Sequence, residues 1–336
     1  MLFDQGLHSS ISPLRVRSAL KDGRDRVIRR LRFNHATNAV RWVLNYRGQR
    51  AAIGRGYAFD ALSRVTPSVA VDTDGLRLYV STSDQVVSRA TFSSRTTWEG
   101  EQFPPLMDAL QGAGMGAGIE GRGFLDIGGN IGSATCLALS RYGATEAWIF
   151  EPSPVNVRLL RQNMLANGLE NRVHVHAVAL SDHDGMTTLE LSDENWGDNR
   201  VRVESANGDR SPGVAGEAQR RTVDVAARRL DSLVEDGSID LDSIGLAWID
   251  VQGHEAHVLA GAANLLDSNV PIVCEYWPYG LKRAGGLERF HALVAGSRTR
   301  FIDLSAPDPT VLRIDQLSAL QTKYTGLTCT DLLVLP

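Results

Sequence analysis

Lysine is almost missing from these 336 residues. Lys21, Lys282 and Lys323 are the only lysines among 35 basic residues; the other 32 are arginine. The scarcity reads as genome composition, yet one motif goes with it: the phosphate loop GxxxxGK[ST] has no counterpart anywhere in the chain. Cysteine is scarce too. Cys136, Cys274 and Cys329 lie far apart with no CxxC, which argues against a disulfide framework and for a reduced, cytoplasmic setting. No apolar run reaches membrane-spanning length and none resembles a secretory h-region, so a soluble protein without a membrane span is expected. A formal net charge of −4 gives no whole-protein case for a nucleic-acid partner. Two metal motifs fall short. "HEAH" (254–257) is not HExxH, because the second histidine comes one residue early. His174 and His176, with no cysteine near them, read as a packed or surface pair on one strand. No metal site is expected, although a divalent ion using Asp250 stays open.

What is present is an ordinary globular composition, 43% hydrophobic and 22% charged, in a chain long enough for one large domain plus an appendage or for two domains. Residues 1–50 carry eleven Lys/Arg against three Asp/Glu. "DGRDRVIRRLRF" there predicts a basic helix with Val27, Ile28 and Leu31 on one face, either a solvated surface or a docking element. "LRLYV" predicts a strand, with Ser83 capping a short helix from about Asp84. "GAGMGAGIEGRG" (112–123) reads as a linker. The expected organisation is a basic segment over 1–72, an extension and Gly-rich linker over 73–120, and a main domain over 121–336.

From 121 onward, strands and helices alternate. Expected strands are "GFLDI", "AWIFE" (147–151), "RVHVHAVAL" (172–180), "IGLAWID" (244–250) and "PIVCEY" (271–276), closed by "RFIDL" (300–304) and "DLLVLP" (331–336). Helices fall at 131–142, at "SPVNVRLLRQNMLANG" with Ser153 as cap, Pro154 at its first position and Gly168 ending it, and at "HEAHVLAGAANLL". "SDHDG" is a turn inside a less regular stretch from 181 to 222. The pattern predicts an α/β fold with a doubly wound, mostly parallel seven-stranded sheet and an N-terminal α/β extension.

In such folds the ligand lies at the carboxyl ends of the strands. The bend after the first strand reads Asp126-Ile-Gly128-Gly129-Asn130-Ile-Gly132, which lacks the first glycine of GxGxxG. A carboxylate at Asp126 opposes a pyrophosphate at the following helix N-terminus and suits a cationic ammonium. Glu151, ending the second strand, is placed to accept from ribose hydroxyls, a role that serves a nicotinamide dinucleotide equally well. Gly128 and Gly132 also permit a tight turn, and Asn130 also suits a helix cap.

"FLDIGGNIG", "IFEPSPVNVRLLRQNMLANGL", "AVALSDHDG" and "LAWIDVQGHEAHVLAGA" together resemble the FkbM-type methyltransferases, over about residues 73–275. The resemblance implies a class I (Rossmann-like) methyltransferase fold, S-adenosylmethionine as donor, and transfer to a hydroxyl of a sugar, glycolipid or polyketide-type molecule. Carried over by position, Asp126, Gly128, Gly129, Asn130 and Gly132 form the methionine-end site, and Glu151, Pro152 and Asn156 the ribose site. Ala177, Val178 and Ser181 flank adenine, and Asp250 closes the fourth strand. Where the family often has Glu, this chain has Gln252, which puts any charge-dependent role at 252 in doubt.

Methyl transfer to an alcohol needs alignment and a proton acceptor. Asp250 is the first candidate base and His254 the second. The two are also candidates for a coupled pair, with Asp182, His183 and Glu275 behind them. "NWGDNRVR" (195–202) offers Trp196 and Asn199 to a sugar ring, with Glu275 as a further substrate contact; a plain surface turn is the competing reading. Three rival functions stay open: an RNA methyltransferase, against which the absence of [ND]PP[YF] after the fourth strand speaks; an NAD-dependent oxidoreductase; and a catalytically silent binding protein. A small-molecule or glycan acceptor is the expected partner, and a homodimer is entertained.

Overall fold

The computed structural model describes residues 49–116, 118–203 and 220–336. The basic helix expected near 22–33 lies outside the described residues. The first elements are α1 (Gln49–Leu62), the hairpin β1 (Ser68–Thr73) and β2 (Leu76–Ser81), α2 (Val87–Ser94) and α3 (Phe103–Gly112). The helix near 84 starts later than expected, at Val87, with Val86 rather than Ser83 at the N-cap position. The Asp84 carboxylate accepts from the Val86 and Ser88 amides at 3.1 and 2.8 Å, satisfying donors that the first turn leaves open.

The main sheet follows. It draws on β3 (Gly123–Ile127), β4 (Ala147–Phe150) and β5 (Val173–His176), with α4 (Ser133–Arg141) and α5 (Pro154–Ala166) between them. A second, smaller sheet is made of β6 (Ala179–Leu180), β7 (Gly185–Leu191), β8 (Arg200–Val201) and β9 (Arg221–Arg228). After α6 (Leu230–Glu235) come β10 (Ile244–Ile249), α7 (Glu255–Ala260), α8 (Ala263–Asp267) and β11 (Ile272–Tyr276). The chain closes with α9 (Pro278–Arg283), α10 (Leu287–Ser297), β12 (Arg300–Asp303), β13 (Val311–Arg313), α11 (Leu320–Lys323) and β14 (Thr330–Leu335).

Strand order in the main sheet is β13-β12-β14-β11-β10-β3-β4-β5. The run from β5 to β11 is parallel, while β14 enters antiparallel between β11 and β12. This is the expected α/β fold with a central, mostly parallel sheet. It has eight strands rather than seven, because Val311–Arg313 folds back on β12 as an antiparallel edge. Every residue of β3, β4, β10 and β11 is buried, as strands covered by helices on both faces must be.

Alternate residues feed two cores. Leu125, Ile127, Ala247 and Ile249 face the layer containing α7 to α10. Phe124, Ile149, Leu246 and Trp248 face the other layer, where α4 and α5 are joined by Phe59 of α1 and by Leu78, Val80, Phe103 and Leu110 of the extension. Phe103, fully buried, stacks on Tyr142 at 4.6 Å and on Trp248 at 5.2 Å. We expect Phe103→Ala to lower unfolding free energy by about 3–5 kcal/mol in urea titration, the usual cost of emptying an aromatic core site. A loss under about 1 kcal/mol would mean that the extension does not share the core.

Two expected elements divide. The strand "RVHVHAVAL" breaks after His176, and Ala179–Leu180 pairs with Ala227–Arg228 of β9 in the second sheet. The helix expected at "HEAHVLAGAANLL" splits at Gly261. A Cβ there would sit 2.0 Å from the Ser181 carbonyl oxygen, so this close approach needs glycine. Asp231, buried, then caps α8 through the Ala263 and Asn264 amides at 3.0 and 2.9 Å. The stretch 181–222 is more regular than expected, since β7 and β9 pair antiparallel over seven positions. Among the described residues no helix is long and apolar enough to cross a membrane.

Candidate functional site

A cleft opens at the carboxyl ends of β3, β4 and β10, the position where doubly wound sheets place ligands. The bend between β3 and α4 makes one wall. Gly128, Asn130 and Gly132 have φ of 93°, 48° and 81°, three left-handed residues within five, which only this glycine-rich spelling tolerates cheaply. At Gly128 the need is also steric: a Cβ would lie 2.0 Å from the Asp250 backbone oxygen. The Gly128 and Gly129 amides both donate to the Phe150 carbonyl, tying the bend to the end of β4.

Glu151 stands where β4 ends and faces the cleft. One carboxylate oxygen accepts from the Asn130 amide at 2.9 Å and the other from the Ser153 amide at 2.8 Å. Asn156 on α5 adds a weaker bond at 3.4 Å. Ser153 is the helix cap as expected, but its own side chain makes no capping bond; its amide serves Glu151 instead. Burial raises the Glu151 carboxyl from 4.5 to about 7, against the lowering effect of those donors. A raised acid stabilises the fold below about 4.5, and that contribution is lost as pH rises through about 7.

Of the expected cofactor residues, Gly128, Asn130, Glu151, Pro152, Asn156, Val178 and Asp250 line the cleft. Asp126 does not. It is 2% exposed, lies beneath the bend, and accepts from the Thr135 hydroxyl at 2.5 Å. Burial raises it to about 6. The carboxylate expected to meet a ligand ammonium is thus turned into the base of α4. Gly129 and Gly132 serve the backbone: Cβ atoms there would strike Ile149 at 2.3 Å and Met164 at 2.5 Å. Ala177 is exposed where β5 ends, so Val178 alone of that pair reaches the cleft.

Ser181 lies behind the wall and bonds His254 Nε2 at 3.0 Å. That contact corrects the expected Asp250–His254 pair, because the partner of the imidazole is Ser181. His254 lines the cleft and stacks on His257 at 4.4 Å. Burial holds its pKa down to about 3, so the ring is neutral. Its Nδ1 is buried without a hydrogen-bond partner. Asp182 and His183 stand outside the lining. Burial would raise Asp182, but Arg289 and His183 hydrogen bonds outweigh it and hold the carboxyl at about 2, a poor proton acceptor.

Asp250 ends β10 and is gripped by Gln252, whose Nε2 donates to Oδ1 at 2.5 Å and to Glu275 Oε2 at 3.2 Å. Glu275 is 2% exposed and sits behind Gln252 rather than in the lining. Glu255, fully buried, accepts from the Val251 and Gly253 amides at 3.2 and 3.0 Å and so braces the turn. Burial, reinforced by Glu275, pushes the Glu255 carboxyl up.

The opposite wall is Trp196, Gly197 and Asn199 from the loop before β8, with Leu189 and Val201 of the second sheet. The extension holds this loop. Asp84 accepts from the Trp196 amide at 3.4 Å, and the Gln85 amide donates to the Glu194 carbonyl at 2.8 Å. Asn156 reaches the Trp196 carbonyl from α5 at 3.3 Å. Sequence reasoning had no signal for Leu189, Val201 or Asp84, whose roles follow from long-range pairing. Gln252 was visible only as a departure in "VQGHE". His174 stacks on Trp148 and bonds Glu146, and His176 stacks on Phe150, a structural pair. Among the described residues no group of three or more His, Cys, Asp or Glu is placed to hold a metal ion.

Residues 126–291 match the family model "Methyltransferase FkbM domain". A curated relative, the 2-O-methyltransferase NoeI of Sinorhizobium fredii, is 34% identical over 159 residues. That alignment covers 46% of this chain and 62% of the relative, so the chain spans about three fifths of that protein. A methyltransferase FkbM structure from Methylobacillus flagellatus aligns with TM-score 0.38 at 14% identity, over 63% of this chain and 43% of that one. An O-methyltransferase from Bacillus cereus in complex with SAH aligns with TM-score 0.36 at 15% identity, over 69% and 81%.

Proposed function

We propose that this chain, which carries an FkbM methyltransferase domain at residues 126–291, transfers a methyl group from S-adenosylmethionine to a hydroxyl oxygen of a sugar, glycolipid or polyketide-type small molecule. The observation that carries this reading is the polarity of the cleft. Its lining offers acceptors, the carboxylates of Glu151 and Asp250 and the amides of Asn130 and Asn156, and among the described residues it contains no lysine or arginine. Asn130 Oδ1 and Asn156 Oδ1 are buried and accept no hydrogen bond from the described residues, which leaves two further acceptors on lining residues. A ligand rich in donors and free of phosphate, with an ammonium, ribose hydroxyls and an adenine amino group, fits that set. A dinucleotide brings a pyrophosphate that no described lining residue neutralises, which disfavours the NAD reading.

When bound, the sulfonium donor supplies an activated methyl. The chain's own task is alignment and proton acceptance. Glu151 and Asn156 are assigned to the ribose, Val178 to the adenine edge, and the Gly128–Asn130 bend to the methionine end. Trp196 and Asn199 form the acceptor wall, an aromatic plane beside an amide. Asp250 is assigned as the base, since it combines a lining position with a carboxylate held in place. His254 is the second choice: it is neutral, and the nitrogen bonded to Ser181 is occupied. The 2-O-methyltransferase relative supports oxygen as the receiving atom.

Calorimetric titration with S-adenosylmethionine, S-adenosylhomocysteine and NAD in parallel tests the reading. Micromolar binding of the first two and none of NAD is expected; binding of NAD alone would overturn it. The raised Glu151 adds a pH signature. Ribose hydroxyls donate to the ionised carboxylate, so S-adenosylhomocysteine affinity should rise as pH climbs through about 7. Glu151→Gln should weaken binding and flatten that dependence. An unchanged slope in the variant would remove Glu151 from the ribose site.

A further inference from the structure

Four carboxylates converge behind the acceptor side of the cleft. Asp250 comes from the end of β10, Glu255 from α7, Glu275 from β11, and Asp331 from β14, opposite Glu275 in the ladder. All four bear on the buried Cys274 thiol, which burial and their charge raise well above its usual value. Asp331 accepts from Gln102 of the extension at 3.1 Å, and Glu255 is occupied by backbone amides. Between Asp250 and Glu275 lies a neutral group, Gln252, 5% exposed and lining the cleft.

Gln252 adopts φ of +58°, a conformation that L side chains resist and that its neighbour Gly253, at +101°, takes freely. The chain therefore places a side chain where glycine would be easier. Gly253 packs against the Gly280 backbone, where an added Cβ would lie 2.6 Å from the Gly280 carbonyl carbon. The Gln252 amide nitrogen has two N–H bonds, and it spends them on the two acids, at 2.5 and 3.2 Å.

We propose that Gln252 is a positioning residue for Asp250. Its amide bridges Asp250 and Glu275 and holds Asp250 ionised and oriented at the cleft. A carboxylate at 252 has no proton to give two acids unless it first takes one, and as an anion it repels both. The neutral amide at this position is thus a working part of the site, with the charge carried by Asp250. This rests on the proposed function only in naming Asp250 as base.

The test reads ionisation directly. Full-length protein labelled with 13Cγ-aspartate is titrated by NMR, with the Asp250 signal assigned from Asp250→Asn. Gln252→Glu and Gln252→Met keep the reach and the backbone strain of the native residue but not the donors. Each should raise the Asp250 midpoint by about one pH unit or more, the scale of a lost charge-assisted bond or an added like charge. Glu275, Glu255, Asp331 and His254 surround the group, so the shift is compared with Glu275→Gln, which removes one neighbour and keeps Gln252. If Gln252→Glu fails to fold, Gln252→Met carries the measurement. A midpoint equal to wild type in the variants overturns the proposal. In turnover, Gln252→Glu should move the acid limb of kcat upward while the donor KM stays within about threefold, a split that a merely structural residue would not produce. A shifted midpoint in a protein that transfers no methyl group would leave the positioning intact and remove the proposed function.

Discussion

Asp250→Asn should slow methyl transfer by about 10²–10⁴-fold, the range that a positioned general base contributes. The substitution preserves shape and side-chain reach, and it takes away the charge proposed to accept the hydroxyl proton. The Gln252 amide still finds an oxygen at 250, so the turn bearing Gly253 and the bracing Glu255 is left in place. Donor affinity should therefore stay within about threefold, because the asparagine oxygen still accepts a hydrogen bond. Single-turnover rates and calorimetric binding of S-adenosylhomocysteine separate the two quantities. Equal losses in both would make Asp250 a donor ligand and leave His254 as the remaining base.

Gly128→Ala should be as damaging by a different route. The added methyl meets the Asp250 backbone oxygen at 2.0 Å, and backbone on the neighbouring strand cannot turn aside as a flexible side chain does. The residue also sits at φ of 93°, where alanine is strained. A left-handed penalty of about 1–2 kcal/mol and an overpacking cost of about 1–3 kcal/mol together predict a stability loss of about 2–5 kcal/mol. Relief requires β3 and β10 to part at their carboxyl ends, where the cleft opens. Donor binding should then fall by more than about 100-fold even in the fraction that remains folded. Chemical denaturation and calorimetry on the same sample measure both effects. Wild-type affinity in a destabilised variant would place the donor away from the bend.

The parallel core was legible because its signals are local. "GFLDI", "AWIF" and "IGLAWI" are short apolar runs, each next to a helical pattern, and both sides of such strands are buried. Pro154 and Gly168 punctuate α5 where the sequence marks them, with Gly168 in the left-handed region just beyond the helix. Glu151 was legible for the same reason. An acid that ends a buried strand in this topology has only the cleft to face.

Other features depend on partners far along the chain. β7 and β9 pair across a span that includes the undescribed residues 204–219, and no periodicity in 181–222 announces that pairing. Trp196 is held by Asp84 across 112 positions, so this wall of the cleft depends partly on the extension. Asp126 was expected in the cleft because its place in "DIGGNIG" is suggestive, yet alternation along β3 and the Thr135 hydroxyl turn it inward.

By itself, then, the sequence determined the alternating fold, the glycine bend, the strand-end acids and the family likeness, since each is written in residues within a few positions of one another. Tertiary structure alone decided which of those acids line the cleft and that Gln252 bridges Asp250 and Glu275. A hydrogen bond to Glu275, 23 positions away, exists only once β10 and β11 lie side by side.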